Sequence, residues 1–209
     1  MTVLVLVRHG RTGYNAEGRL QGSLDVPLGE EGRAQAREAA RALHAAYGTP
    51  DRIVTSPLLR AADTAAAISA ATGVPARPDA RLTQRSYGEW EGLTWAEVRE
   101  RWPEDHDRRH RGLDPAIEGW GKAADVAARV AEGLVEACDG ARLVFAVSHG
   151  SAITLGSLAL LGLDVHSTVL GKLPHAHWNA LEGVHGRWTM ARYGHSAATS
   201  LVDGSEFAD

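Results

Sequence analysis

The chain is short of cysteine, of lysine and of long apolar runs, and each shortage removes a class of protein. Its 209 residues include a single cysteine, Cys138, which excludes an intramolecular disulfide framework and a zinc site built on cysteines. Cys138 falls in the helical pattern "AARVAEGLVEACDG", where a free thiol packs as a small hydrophobe. Lysine occurs only at Lys122 and Lys172, the 22 Lys and Arg together are spread along the chain, and the formal net charge is −4. No basic face for a phosphodiester backbone follows from this, so no nucleic-acid partner is expected. No apolar run approaches the ~18 residues of a membrane span, and "TVLVLV" meets charge too soon to be a signal h-region. The expectation is a cytoplasmic protein with no membrane association. Two common phosphate cradles are also missing: no GxxxxGK[ST] occurs, and no GxGxxG follows the first apolar run.

What the chain does contain is an alternation of strand and helix patterns. Apolar, β-branched runs occur at "VLVLV" (3–7), "RIVTS" (52–56) and "RLVFAVS" (142–148), each leading into a helical pattern. "GEEGRAQAREAARALHAAYG" places Ala36, Ala39, Ala40, Leu43, Ala46 and Tyr47 on one stripe, with acids in its first turn and Gly48 closing it. "LLRAADTAAAISAATG" aligns Leu59, Ala62, Ala66, Ile68 and Ala70 before Gly73. "TWAEVRERW" opens with Thr94 and Glu97 at capping-box spacing and stops at Pro103. "HAHWNALEG" and "RWTMARYG" read as a hairpin turning between Gly183 and Gly186; its exposed edge makes a homodimer an option.

Together these predict one α/β domain over 1–209. It carries a polar, cap-like excursion at about 93–121. His106 and His110 stand four apart there, but the interleaved Arg108, Arg109 and Arg111 disfavour a cation. That face reads as solvated, and neither a metal nor a cofactor is expected. The tail "SLVDGSEFAD" reads as frayed. Of the tryptophans, Trp90 and Trp95 read as flanking the site, and Trp178 and Trp188 as buried in the hairpin.

Ligands of parallel α/β sheets bind beyond the carboxyl ends of the strands. Arg8, His9 and Gly10 follow the first run, with Thr12 and Asn15 just beyond. Ser56 and Arg60 follow the second, and Ser148, His149 and Gly150 end the later one. Two arginines and two histidines therefore converge from three strand ends. Such a set suits a phosphoryl group: forked arginines hold its oxygens, and one imidazole, kept unprotonated by neighbouring cations, attacks phosphorus in line. Gly10 is read as letting the backbone approach the anion.

The ordered motifs "LVLVRHGRTGYN", "TSPLLRAADTA", "LTQRSYGEWEG" and "VSHGS" resemble the histidine phosphatase superfamily in its phosphoglycerate mutase-like branch, from Val3 to about Tyr193. The resemblance implies a three-layer sandwich, with a mixed, mainly parallel sheet and helices on both faces. It also implies a phosphomonoesterase that works through a phosphohistidine. By this resemblance His9 is the nucleophile, and Arg8, Arg60 and His149 hold the phosphoryl group. Asn15 also lies at the phosphate with Thr12 beside it, while Arg19, Gln21, Arg85 and Gly150 belong to the substrate side. The partner implied is a small phosphorylated metabolite. The hairpin looks most like that of phosphatases acting on sugar phosphates and phosphoglycerate derivatives, such as glucosyl-3-phosphoglycerate.

Several places depart from the pattern. Arg11 follows "RHG" where Glu or Gln is usual, and "EGWGKAADVAAR" lacks the Glu of the Gly-Glu-Ser that many relatives have before the helix; in the hairpin segment, His175 also stands where relatives often have Asn. Gln84 takes the place of the carboxylic acid that protonates the leaving oxygen, and an amide has no proton to give near neutral pH. Glu89 is the candidate substitute, with Glu91 beside it. The altered acid position keeps two alternatives open, a mutase-type phosphotransferase and a catalytically reduced protein that only binds a phosphorylated ligand.

Overall fold

The structure, a computed structural model, describes residues 1–198; the tail segment 200–209 lies outside the described residues. At its centre is β1 (Thr2–Arg8), in which Leu4, Val5, Leu6 and Val7 are all buried. Parallel to β1 lies β4 (Leu143–Ser148), then β2 (Arg52–Thr55), then the short edge strand β3 (Ala76–Pro78). On its other side β1 pairs antiparallel with β5 (Trp178–Val184), which forms a hairpin with β6 (Arg187–His195). The sheet order is β3-β2-β4-β1-β5-β6, mixed and mainly parallel.

The unbroken apolar character of β1 and β4 follows from burial on both sides of the pleat. Leu4, Leu6, Val144 and Ala146 point to the face covered by α6 (Ala123–Cys138) and α7 (Gly150–Leu160). Val5, Val7, Phe145 and Val147 point to the face covered by α2 (Glu30–Tyr47) and α3 (Leu59–Thr72). This is the three-layer architecture expected. Cys138 is buried against the α6–α7 layer, and burial pushes its thiol up to about 12, so it is packing material and not a nucleophile.

Several local expectations need correction. The buried stripe of α3 is Arg60, Ala61, Thr64, Ala65 and Ile68, and Leu59 is 45% exposed. The apolar periodicity misled because the helix is oriented by an arginine: Arg60 must turn inward to reach the strand ends. The excursion also contains a helix that its polarity concealed. After the Thr94–Glu97 capping box opens α4 (Trp95–Arg101), Pro103 takes the first position of α5 (Pro103–His110), with Glu104 and Asp105 in its first turn. His106 and His110 stand on a helix without buried residues, as the solvated reading expects, and the structure adds that their rings lie 4.3 Å apart and both meet the Trp95 edge at about 6 Å. Trp90 is fully buried, packing with Leu20, Val98, Ile117 and Trp120 in a small core that ties the excursion to the domain. It is therefore not a substrate platform. The hairpin turns at His185 and Gly186, both with positive φ, the geometry that a two-residue turn matching the strand twist demands. Among the described residues no helix is long and apolar enough to cross a membrane, and no three His, Cys, Asp or Glu side chains assemble as a potential metal cage.

Candidate active site

A cavity of about 670 Å³ opens at the carboxyl ends of β1 and β4. Its floor is made by Arg8, His9 and Arg60, while His149, fully buried and not among the lining residues, stands behind His9. Arg8 ends β1, His9 follows it, Arg60 reaches in from the first turn of α3, and His149 sits at the N-cap of α7. All four are at most 8% exposed.

The hydrogen bonds assign the ring nitrogens. His9 Nδ1–H donates to the Gly10 carbonyl at 2.7 Å, which leaves the Nε2 lone pair free. Arg60 Nε donates to His149 Nδ1 at 3.2 Å, so His149 carries its proton on Nε2 and donates it to Ser56 Oγ at 2.8 Å. The His9 and His149 rings meet edge-on with centroids 5.1 Å apart. Burial is the main cause that holds His9 well below the ordinary histidine range, followed by Arg60, His175 and Arg8. His149 is depressed in the same direction, first by burial and then by His9 and Arg60. His9 is therefore a neutral imidazole with an available lone pair.

Neither principal arginine has a carboxylate partner among the described ion pairs. Arg60 donates to the carbonyls of Leu24 and Gly22 at 2.6 and 2.8 Å. Arg8 donates to the Leu173 carbonyl at 2.6 Å and to His175 Nε2 at 3.0 Å, and its Nε is buried with no acceptor among the described residues. Burial lowers both guanidiniums to about 10. Two buried cations held by carbonyls, with no carboxylate in direct contact among the described ion pairs, form a preorganised anion site, since a buried charge that is not paired at contact is costly until an anion arrives.

The other candidate residues divide into those that line the cavity and those that support it. Asn15, Arg19, Gln21, Gln84, Arg85 and Gly150 line it. Thr12 does not: it is buried beneath, capping α1 (Gly13–Ala16) by accepting from Asn15 N at 3.1 Å, and its hydroxyl proton is shared between Asn15 Oδ1 and Gln21 Oε1, 3.0 and 3.1 Å away. Gly10 also has a different reason from the one expected. A Cβ there would fall 2.3 Å from the Gly32 carbonyl oxygen, so the glycine permits close contact between the β1 loop and α2, not with a ligand. Arg11 pairs with Glu31 at 3.0 Å and is not among the lining residues, though its charge still reaches the imidazole of His175 in the wall. Gln84 lies in the wall, with its carbonyl accepting from the backbone of Arg85 and Ala152 at 3.0 and 3.3 Å.

Glu89 is exposed on the turn Gly88–Trp90 and is not part of the wall. Glu91 accepts from Ser23 N and Oγ, Ser86 Oγ and Tyr87 N, which makes it the clamp between two site loops. The structure thus brings neither acid to the cavity.

Sequence reasoning missed much of the outer wall. The segment after α7 contributes Val165 to Thr168, Leu170 to Leu173 and His175, and the excursion contributes Trp95, Arg109 and Gly112. Only Lys172 and His175 stood out beforehand, by charge and by departure from a pattern; Arg109 lay hidden among the interleaved arginines of α5. His175 Nδ1–H donates to the His9 carbonyl at 3.3 Å, and its ring lies 5.3 Å from that of His9. Burial first, and then Arg8, push it down to about 3.

The comparisons with known proteins agree with this geometry. The model of the histidine phosphatase superfamily (branch 1) matches residues 4–196. A glucosyl-3-phosphoglycerate phosphatase of Mycobacterium tuberculosis (strain ATCC 25618 / H37Rv) is 37% identical over 191 residues, covering 86% of this chain and 85% of the relative. A 2,3-bisphosphoglycerate-dependent phosphoglycerate mutase 2 of Gloeobacter violaceus is 36% identical over 162 residues, covering 73% of each. The solved structure of mycobacterial glucosyl-3-phosphoglycerate phosphatase complexed with VO3 superimposes with a TM-score of 0.87 at 35% identity, covering 94% of this chain and all of that one. Strand-end chemistry, fold and relatives converge on one assignment: the chain belongs to branch 1 of the histidine phosphatase superfamily and is a phosphatase of that type.

Proposed function

We propose that this phosphatase hydrolyses a small phosphate ester bearing a second anionic group, by way of a phosphohistidine on His9, in the cytoplasm. The observation that supports the nucleophile is the Nδ1–H bond to Gly10, which directs the basic lone pair to Nε2 while burial and two guanidiniums keep it unprotonated. In the first half-reaction that lone pair forms the N–P bond as the ester P–O bond breaks. Arg8 and Arg60 balance the charge on the phosphoryl oxygens. In the second, water attacks phosphorus, the P–N bond breaks, the electron pair returns to Nε2, and inorganic phosphate leaves.

The wall supports the substrate class. Beyond Arg8 and Arg60 it presents Arg109 and Lys172, which have no carboxylate partner among the described ion pairs, together with Arg85 paired to Asp114 and Arg19 paired to Glu17 at 2.8 Å, and no Asp or Glu among its described residues. One phosphoryl group is held by Arg8 and Arg60, which leaves Arg109 and Lys172 for a second anionic group such as the carboxylate of a phosphoglycerate-type ester. Likeness to a phosphatase of glucosyl-3-phosphoglycerate favours that class. The mutase relative keeps a second reading alive, in which the phosphoryl group passes to another phosphoglycerate instead of to water.

Glucosyl-3-phosphoglycerate, 3-phosphoglycerate and p-nitrophenyl phosphate, each assayed for inorganic phosphate, test the reading. Phosphate release that His9→Ala abolishes, together with a trapped acid-labile phosphoenzyme, is the expected result. Binding without turnover in the unaltered chain would leave only a phosphate-binding protein, and phosphoryl transfer between phosphoglycerates without net phosphate release would make it a mutase.

A further inference from the structure

An alkyl phosphate expels an alkoxide, and an alkoxide needs a proton as it departs. The described wall of the cavity offers no carboxylic acid and no thiol. Gln84 can donate a hydrogen bond through its amide but cannot yield the proton. His175 is neutral, with its one proton on Nδ1 committed to the His9 carbonyl and its Nε2 accepting from Arg8. His166 and Lys172 stand on the exposed rim. The arginines are held in their charged form by the dianion they bind. One acidic hydroxyl remains, that of Tyr87.

Its setting suits a proton donor. Tyr87 is three residues from Gln84, and Glu91 anchors its backbone N–H at 3.0 Å. Its ring is in the wall and packs against Trp120 with centroids 5.4 Å apart. The phenolic oxygen lies 3.0 Å from Ser151 Oγ, in the first turn of α7. When Ser151 donates to that oxygen, the phenolic proton is left free to point into the cavity. Three guanidiniums, those of Arg8, Arg60 and Arg85, interact electrostatically with the Tyr87 hydroxyl.

We propose that Tyr87, supported by Ser151, is the general acid of this enzyme and does the work that a carboxylic acid at position 84 would do. As His9 Nε2 bonds to phosphorus and the P–O ester bond breaks, the departing oxygen takes the Tyr87 proton and leaves as the neutral alcohol. The phenolate then accepts a proton from the attacking water, whose oxygen forms the new P–O bond as P–N breaks; Tyr87 is restored and phosphate departs. This inference rests on the hydrolase reading above.

The test is a series of phosphate esters of graded leaving-group basicity, from p-nitrophenyl through phenyl to simple alkyl, assayed by phosphate release. p-Nitrophenolate leaves without a proton, so a lost acid shows in the dependence on leaving group and not in the overall rate. Tyr87→Phe is expected to lower the alkyl-to-nitrophenyl rate ratio by about 10²–10⁴-fold. Gln84→Glu in the Tyr87→Phe background is expected to restore the ratio, because a carboxylic acid then stands in the wall. Ser151→Ala is expected to move the ratio in the same direction by less. A uniform loss across the series, or a ratio that neither Tyr87→Phe nor Ser151→Ala changes, overturns the role of Tyr87. Turnover indifferent to His9→Ala overturns the hydrolase reading itself, which separates the two failures.

Discussion

At the scale of single residues, the site is built by removing alternatives. His9 has one nitrogen committed, to the Gly10 carbonyl, and His149 has both, to Arg60 and to Ser56, so that only one tautomer of each is compatible with the network. Arg60 is the central piece because it makes three separate bonds, to His149 and to the carbonyls of Gly22 and Leu24. A lysine keeps the charge but cannot span those three directions with a planar fork. Arg60→Lys is therefore expected to lower kcat about 10²-fold, the usual cost of losing one preorganised donor to transition-state charge. Steady-state kinetics on p-nitrophenyl phosphate check this, and a kcat within a few-fold of the unaltered enzyme would contradict it.

At the scale of elements, the loops around the cavity are held by capping and clamping groups that look like chemistry in the sequence. Thr12 fastens α1 and Gln21 from below. Glu91 joins the 22–23 turn to the 86–87 turn, and a Cβ on Gly22 would fall 2.2 Å from its carboxylate oxygen. Ser148 Oγ donates to the Leu82 carbonyl at 2.7 Å, and Arg129 to those of Thr83 and Gln84 at 2.8 and 3.1 Å, which hangs the 82–85 segment over the end of β4. Removing the Glu91 charge weakens several charge-assisted bonds at once, so Glu91→Gln is expected to cost about 1–3 kcal/mol of stability. Glu89→Gln, at an exposed turn position, is expected to stay within about 0.5 kcal/mol. Urea denaturation of the two variants distinguishes the clamp from the bystander, and equal effects would refute the distinction.

For the whole molecule, four depressed imidazoles, those of His9, His149, His175 and His195, tie stability to pH. His9, His149 and His175 are neutral in the folded state, burial being the first cause at each. In the unfolded chain each takes up a proton near pH 6.5. Below that pH the unfolded state binds more protons than the folded one, so stability falls as pH falls, by up to ~1.4 kcal/mol per pH unit for each of these three. The His175 share continues down to about pH 3, where its folded form titrates. Above pH 6.5 both states are neutral and these groups contribute no slope. Denaturation midpoints at pH 7, 6 and 5 are expected to drop steadily, with a shallower drop in His175→Asn. A midpoint constant between pH 7 and 5 would show that the imidazoles are charged in the fold.

The sequence by itself determined the layers and the strand-end chemistry, because both are local: period and composition mark buried strands, and residues next to a strand end must lie at one end of the sheet. Arg8, His9, Arg60 and His149 were legible for that reason. Only the tertiary structure decided what each neighbour does, since that depends on contacts between segments far apart in the chain. It placed Gly10 against Gly32 and not against the ligand, turned Arg11 out to Glu31 and left Glu89 exposed. It rotated α3 so that an arginine faces inward and Leu59 faces water. It also joined the segment after α7 and the excursion around Arg109 into one wall, and set the Tyr87 hydroxyl beside Ser151, 64 positions away. No periodicity encodes such a pairing; it exists only once the sheet has brought its strand ends together.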